Sequence, residues 1–407
     1  MSRSPAQPAR TLVATLATTL TAATISALPV LLLGGLAVLI RGELDFGEFG
    51  LGIAIGSFFT ASALVSLPAG AVSERIGPSR TMAVGLAGTA AALAGIAVFP
   101  TSLALLVPWL ILAGAANALI QVGANHLLAV GVHLHRQGLA YGVKQSAIPL
   151  AAMLAGASVP VIGLTLGWRT AYGVAAGLGL AGLVFVWRVA GSDGDHEPAT
   201  EREGDAPISA LVVLALGAGL GTTAANALTG FSVSSSVDAG LGQDVAGVLL
   251  TIGSLLGMSV RIGGGWLADR LARGSLLLVA GLLAIGAFGY AGLALRPSAG
   301  LVLVGATLVA FLGGWGYQGL VLLATARTNP ASPAAALAIV RIGPNAGAVI
   351  GPLIFGAIVE RAGYGVAWGF AAAASLGAAL LVLVGRSMLV PVRRRIVAAR
   401  DARQEPR

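Results

Sequence analysis

GSDGDHEPATEREGDAP, residues 191–207, is the one long stretch of this 407-residue chain that reads as a solvated segment. It carries Asp193, Asp195, Glu197, Glu201, Glu203 and Asp205 against one arginine, Arg202, and shows no hydrophobic periodicity. Its flanks are apolar. The chain is 57% hydrophobic and 10% charged, against roughly 25% charged in an average soluble domain, and its mean hydropathy is +0.90. Such a chain belongs in a bilayer, where about 20 apolar residues cross ~30 Å of hydrocarbon.

Outward from this linker, charged and turn-forming residues divide each flank into six apolar runs. They cover 12–38, 49–72, 80–99, 102–129, 139–164 and 168–189 before it, and 208–232, 244–268, 275–295, 299–325, 332–359 and 365–390 after it. The spacing predicts an all-α integral membrane protein of twelve transmembrane helices in two pseudo-symmetric six-helix bundles. The first bundle is 1–190 and the second 208–392, joined by a cytoplasmic acidic linker, 191–207, and followed by a basic cytoplasmic tail, 393–407. The run from Leu12 to Ile40 is longer than the 7–15 residue core of a signal peptide and reads as a retained helix.

The net charge of +8 reflects topology rather than nucleic-acid binding. With both termini inside, the cations outside are Arg41, Arg169, Arg296 and Arg361, and those within spans are Lys144, Arg261 and Arg341; the other arginines fall on the cytoplasmic side. The arginine-rich tail suits anionic headgroups. The absence of cysteine and of Asn-x-Ser/Thr sequons, with arginine strongly preferred to lysine, points to a bacterial cytoplasmic membrane. No GxxxxGK[ST] loop is present to supply an ATP-driven engine. No cofactor is expected, and the expected partners are lipid, a small-molecule substrate and protons, with the chain acting as a monomer. The expected function is not enzymatic.

The halves align on one another at an offset of about 197 residues. Ile55-Gly56-Ser57 meets Ile252-Gly253-Ser254, Gln121 meets Gln318, and Lys144 meets Arg341. With small gaps, Gly70-Ala-Val-Ser-Glu74-Arg75 meets Gly265-Trp-Leu-Ala-Asp269-Arg270. Twelve spans, a six-plus-six repeat, a central hydrophilic loop and a G-x-x-x-D/E-R turn after the second and eighth spans resemble the major facilitator superfamily. The family motif continues with a glycine after the arginine; the first copy keeps it as Gly77, and the second has Ala272 there. Trp109 stands where the family places an arginine in the fourth span, so no role built on that arginine carries over. GGWGYQGLVLLATARTNP, 313–330, is similar to the tenth span of the cyanate and nitroimidazole porter branch.

Lys144, in YGVKQSAIP (141–149), is the only lysine in the chain. An ionisable group at mid-membrane costs at least about 2.5–3.5 kcal/mol and is a functional candidate by default. The 16 acids all fall in loops, tails or span ends, so the intramembrane cations lack a carboxylate at their depth. Lys144 and Arg341, one from each half, are therefore read as a clamp for an anion, with Tyr141 beside Lys144. A guanidinium binds a carboxylate in bidentate fashion, and an ammonium acts as a point charge. Snorkelling to headgroups is the alternative for each, and a proton-carrying role is a further one for Lys144. Arg261 is read as a coupling residue or as a packing arginine.

Polar residues at helical spacing predict a wet pathway: Asn117, Gln121 and Asn125 on the fourth span, and Thr222, Asn226 and Thr229 on the seventh. The resemblance implies that the first, fourth, seventh and tenth spans line this pathway, with Gln121 facing Gln318; the alternative for both is interhelical hydrogen bonding. Trp315 and Tyr317 beside Gln318 are read as an apolar wall or as packing. His126, whose imidazole titrates near neutral pH, is a proton-coupling candidate. Gly70, Glu74 and Arg75, with Gly265, Asp269 and Arg270, are read as gate motifs whose ion pairs latch the cytoplasmic face. The function expected is secondary transport of a small, anionic or carboxylate-bearing solute by alternating access. Export of drug-like or nitroheterocyclic compounds is the alternative, and a membrane sensor or membrane enzyme the remote one.

Overall fold

The computed structural model describes residues 9–132, 137–189, 206–270, 275–298, 300–329 and 333–404. The acidic linker, apart from Ala206 and Pro207, lies outside them, as do the side chains of Gly265, Asp269, Arg270 and the basic tail.

Every long element among the described residues is a helix. α1 runs Ala9–Gly35 and resumes after a break at Leu36 as Ala37–Leu44. α2 is Glu48–Ile76, α3 Pro78–Val98 and α4 Leu103–Gly131. α5 is Gln137–Gln145 and Ala147–Ser158, ending through a π turn at Val159–Gly163, and α6 is Trp168–Val189. In the second half α7 is Ile208–Asp238, α8 Gln243–Arg270 and α9 Ser275–Ala294. α10 is Leu301–Gly316 and Gln318–Thr328, interrupted at Tyr317. In hydrocarbon a backbone must satisfy its own hydrogen bonds, so apolar runs of this length have no alternative to helix. Large side chains such as Trp187, Phe288 and Leu301 are 77%, 78% and 90% exposed, as a lipid-facing belt requires.

The last helical stretch, Pro333–Gln404, holds two spans rather than one. Gly363 has φ 79 and ψ 172, a conformation that only glycine adopts without strain, and it interrupts the helix. Packing against α7 shows the chain reversing there. Gly343, Gly347 and Gly351 climb beside Ala215, Gly219 and Thr223, whereas Ala378 and Gly385 descend beside Gly217 and Leu214. We call 333–362 α11 and 364–404 α12. The three glycines at four-residue spacing form a small-residue stripe that lets backbones touch, the usual way helices associate in lipid. A Cβ on Gly343 would stand 1.7 Å from the Ala215 carbonyl oxygen, so no other residue fits that position without displacing a helix. α12 continues as a helix to Gln404, past the end expected for its span.

The two bundles meet mainly on the face opposite the chain termini, here called the far face. The Glu48 carboxylate of α2 accepts hydrogen bonds from Arg41 of its own half and from the Tyr364 hydroxyl of α12. Glu360 of α11 accepts from the backbone N–H of Phe49 at 3.2 Å, so a carboxylate of one half caps the first turn of a helix of the other. Gly52 packs on the Pro352 backbone, and Gly156 of α5 packs on the Gly247 carbonyl of α8. Further along α2, toward the terminal face, Leu64 and Leu67 are exposed and Gly70 has open space around it. α2 and α11 are thus in contact on the far face, and no such close contact is seen at Gly70 toward the termini.

Candidate functional site

In the terminal-side half of the first bundle a continuous polar network crosses four helices. Asn117 Nδ2 donates to Ser62 Oγ of α2 at 2.9 Å, and Ser26 Oγ of α1 donates to Asn117 Oδ1 at 2.9 Å. Gln121 Nε2 reaches Ser26 Oγ and Asn117 Oδ1 at 3.4 Å each. The network ends on Lys144 of α5, whose Nζ donates to Gln121 Oε1 at 2.5 Å and to Asn125 Oδ1 at 3.0 Å. Tyr141, one turn earlier, donates to the Asn125 backbone carbonyl at 3.3 Å. The four-residue spacing of Asn117, Gln121 and Asn125 aims all three amides the same way, and this face meets α1, α2 and α5.

Lys144 is 4% exposed. Its partners are neutral amide oxygens, which solvate an ammonium by their dipoles without neutralising it. An ammonium has three N–H donors; two are used, and among the described residues the third has no acceptor. Lys144 is accordingly not bare, as the absence of intramembrane acids suggested, but partly coordinated with one donor free. Arg341 of α11 comes within electrostatic range of both Lys144 and Tyr141 and forms no ion pair among the described residues.

In the second half the arrangement departs from the repeat. By repeat symmetry Arg341 should stand to Gln318 as Lys144 stands to Gln121, but it is Arg261 of α8 that bonds Gln318, Nη2 to Oε1 at 2.8 Å. The position matching Arg261 in the first half is Leu64, so this cation has no symmetric counterpart. Arg261 is 8% exposed, lies 5.1 Å from the Trp315 ring centroid, donates Nε to the Trp315 carbonyl at 2.9 Å, and donates Nη1 to the Gln145 carbonyl of the first half at 3.1 Å.

Trp315 and Tyr317, read as an apolar wall or as packing, are both packed in the interior at 2% and 1% exposure. Trp315 packs edge-on against Phe311, and the Tyr317 hydroxyl pairs with Thr222 at 3.2 Å. Trp315 meets the site through Arg261. On α7, Thr229 bonds the Asn226 backbone carbonyl, and Asn226 Nδ2 is a buried donor with no partner among the described residues. His126 Nδ1 pairs with Ser73 Oγ at 2.8 Å, tying α4 to α2 near the first gate motif. Glu74 and Arg75 are exposed and form no ion pair among the described residues. The side chains of its second copy lie outside the described residues.

Glu48 is the functional candidate that sequence reasoning did not single out. It is 7% exposed at the interface of the halves, and its Oε2 has no partner among the described residues. As the first residue of its span it reads as a solvated end, and it is buried where α11 and α12 of the other bundle meet it.

The comparisons with known proteins agree with this architecture. No curated protein matches the chain in sequence. Two crystal structures of a bacterial homologue of the human lysosomal transporter Spinster superimpose closely. The inward-facing, unoccupied form has a TM-score of 0.70 at 14% identity, covering 95% of this chain and 98% of the other. The inward-facing, occupied form has a TM-score of 0.69 at 15% identity, covering 96% and 98%. The family model described as Major Facilitator Superfamily matches residues 11–334. With the twelve-helix architecture on one side and that match on the other, the chain belongs to the major facilitator superfamily, a family of membrane transporters.

Proposed function

We propose that this chain is a secondary transporter whose cargo is a small anion of carboxylate type, bound between the bundles at Lys144 and Arg341. The observation that carries the reading is the coordination of Lys144: a buried ammonium on two neutral amides, with a donor to spare and a second cation nearby in the other half. Like charges facing one another across an interface repel. An anion entering between them removes that repulsion and draws the terminal-side ends of the bundles together. Closure driven by cargo at mid-membrane is the step alternating access requires.

The positive-inside bias supports a cytoplasmic terminal face, and the lack of cysteine and of sequons supports a bacterial membrane. The arrangement with α2 and α11 in contact on the far face is then inward-facing, the state in which the Spinster homologue was captured. On this reading Gln121 and Asn125 hold the ammonium in place, and Asn226, with its free amide donor, faces the cargo from α7.

Purified protein in proteoliposomes, assayed for uptake of a panel of monocarboxylates and cyanate, tests the proposal. At least one anion of the panel is expected to accumulate, and Lys144→Gln and Arg341→Gln each to reduce its uptake at least tenfold. Unchanged uptake in both variants sinks it. Flux of the same anion driven by an imposed pH gradient decides whether protons are coupled to it.

A further inference from the structure

The stretch YGVKQSAIP contains a helix break with an identifiable cause. Pro149 has no N–H, so the carbonyl four residues before it, that of Gln145, loses its helical partner, and the proline ring crowds it as well. α5 is interrupted next to that carbonyl, at Ser146. A carbonyl without a donor inside a membrane bundle is unfavourable, and such groups find a partner elsewhere. Here the partner comes from the other bundle: Arg261 Nη1 of α8, at 3.1 Å.

The same guanidinium is anchored in its own half at the second broken helix. Nε donates to the Trp315 carbonyl at 2.9 Å and Nη2 to Gln318 Oε1 at 2.8 Å, on either side of the interruption at Tyr317. One buried side chain thus joins the break in α5 to the break in α10. The planar fork of arginine spreads its donors in fixed directions, which a lysine ammonium on a flexible stem does not reproduce. The α5 residue adjoining the bare carbonyl is Lys144.

We infer that Arg261 is a positioning residue: by holding the Gln145 carbonyl that Pro149 strips of its helical donor, it makes the backbone carrying Lys144 move with the tenth helix of the opposite bundle. The cation of the first half is then aligned by the second half, so the two sides of the anion site stay in register as the bundles rock. The functional meaning rests on the reading of Lys144 as an anion ligand. The mechanical link does not, and it is tested without a ligand.

The chain has no cysteine, so paired labels can be introduced without background. Spin labels at Gly142→Cys on α5 and Leu277→Cys on α9, both exposed, report the distance between the first segment of α5 and the second bundle in nanodiscs. Arg261→Gln is expected to widen that distance distribution at least twofold. Pro149→Ala restores an N–H for Gln145 and is expected to give a similar widening, and the double variant no more than the larger single effect. Arg261→Lys is expected to resemble Arg261→Gln. A pair within the second bundle, Leu277→Cys with Ile342→Cys, is expected to stay unchanged and reports on folding.

Additive effects of the two substitutions overturn the inference, because Arg261 then acts within its own half alone. An unchanged distribution in Pro149→Ala overturns it as well, and decides the matter if Arg261→Gln does not fold. Failure of both Lys144→Gln and Arg341→Gln to alter anion uptake would sink the proposed cargo while leaving this link standing.

Discussion

Tyr364→Phe removes one hydroxyl from the far-face contact and leaves the ring, 7% exposed, in its packing. That hydroxyl donates to Glu48, which also takes Arg41 and has one carboxylate oxygen without a partner. Arg41 and Glu48 belong to the first bundle and Tyr364 to the second. When the far face opens, the arginine bond persists, and only the tyrosine bond is exchanged for water. A hydrogen bond to a charged group is worth about 1.5–3 kcal/mol net, and each ~1.4 kcal/mol is tenfold in an equilibrium. The substitution should therefore move the ratio of far-face-closed to far-face-open protein toward the open form by roughly 10- to 150-fold. Spin labels at Leu166→Cys and Leu295→Cys, both exposed at far-face helix ends, resolve the two populations in nanodiscs. A ratio within twofold of the parent protein would refute the view that this bond holds the far face shut.

Three further outcomes follow from the same geometry. Glu360→Gln keeps an acceptor for the Phe49 N–H but loses its charge at the α2 N-terminus; a dipole term of about 0.3–1 kcal/mol gives a shift of roughly two- to fivefold toward the open form in the same distance measurement. Gly347→Leu places a side chain where a Cβ already stands 2.2 Å from the Gly219 carbonyl oxygen. It should destabilise the second bundle by about 1–3 kcal/mol or more, seen as a lower denaturation midpoint in detergent, whereas Gly305→Leu, with open space around it, should leave the midpoint unchanged. Arg341→Gln should raise the substrate concentration for half-maximal uptake by about tenfold or more, the loss of one charge-assisted bond.

Much of the fold is legible because hydrocarbon leaves the chain few options. Apolar runs of spanning length must be helices, and a segment as acidic as 191–207 reads at once as a hydrophilic connection between two sets of six. The turn between α11 and α12 is legible as well, since Glu360 and Arg361 interrupt the apolar pattern between 332–359 and 365–390, and the chain reverses at Gly363. Lys144 stands out as the sole lysine, and the spacing of Asn117, Gln121 and Asn125 places them on one face. Periodicity says which face a residue occupies but not which neighbour meets it. That is why the repeat, which pairs Lys144 with Arg341, does not reveal that Gln318 is bonded by Arg261, a cation that the first half replaces with Leu64. Pro149 was visible throughout, but the fate of the carbonyl it strips depends on a helix about 110 residues away, a tertiary fact outside any local pattern. Glu48 was hidden for the same reason: it is buried where the opposite bundle, with Tyr364, meets it.

Selection of cargo by negative charge at Lys144 and Arg341, as proposed, is read by comparing each monocarboxylate with its uncharged amide in counterflow. A carboxylate and its amide have nearly the same shape and differ by one charge, so discrimination between them reads the cations and little else. The parent protein is expected to exchange a carboxylate and not its amide, and Lys144→Gln to abolish most of that preference. Equal exchange of acid and amide by the parent protein, or an undiminished preference in Lys144→Gln, would contradict selection by charge at these cations.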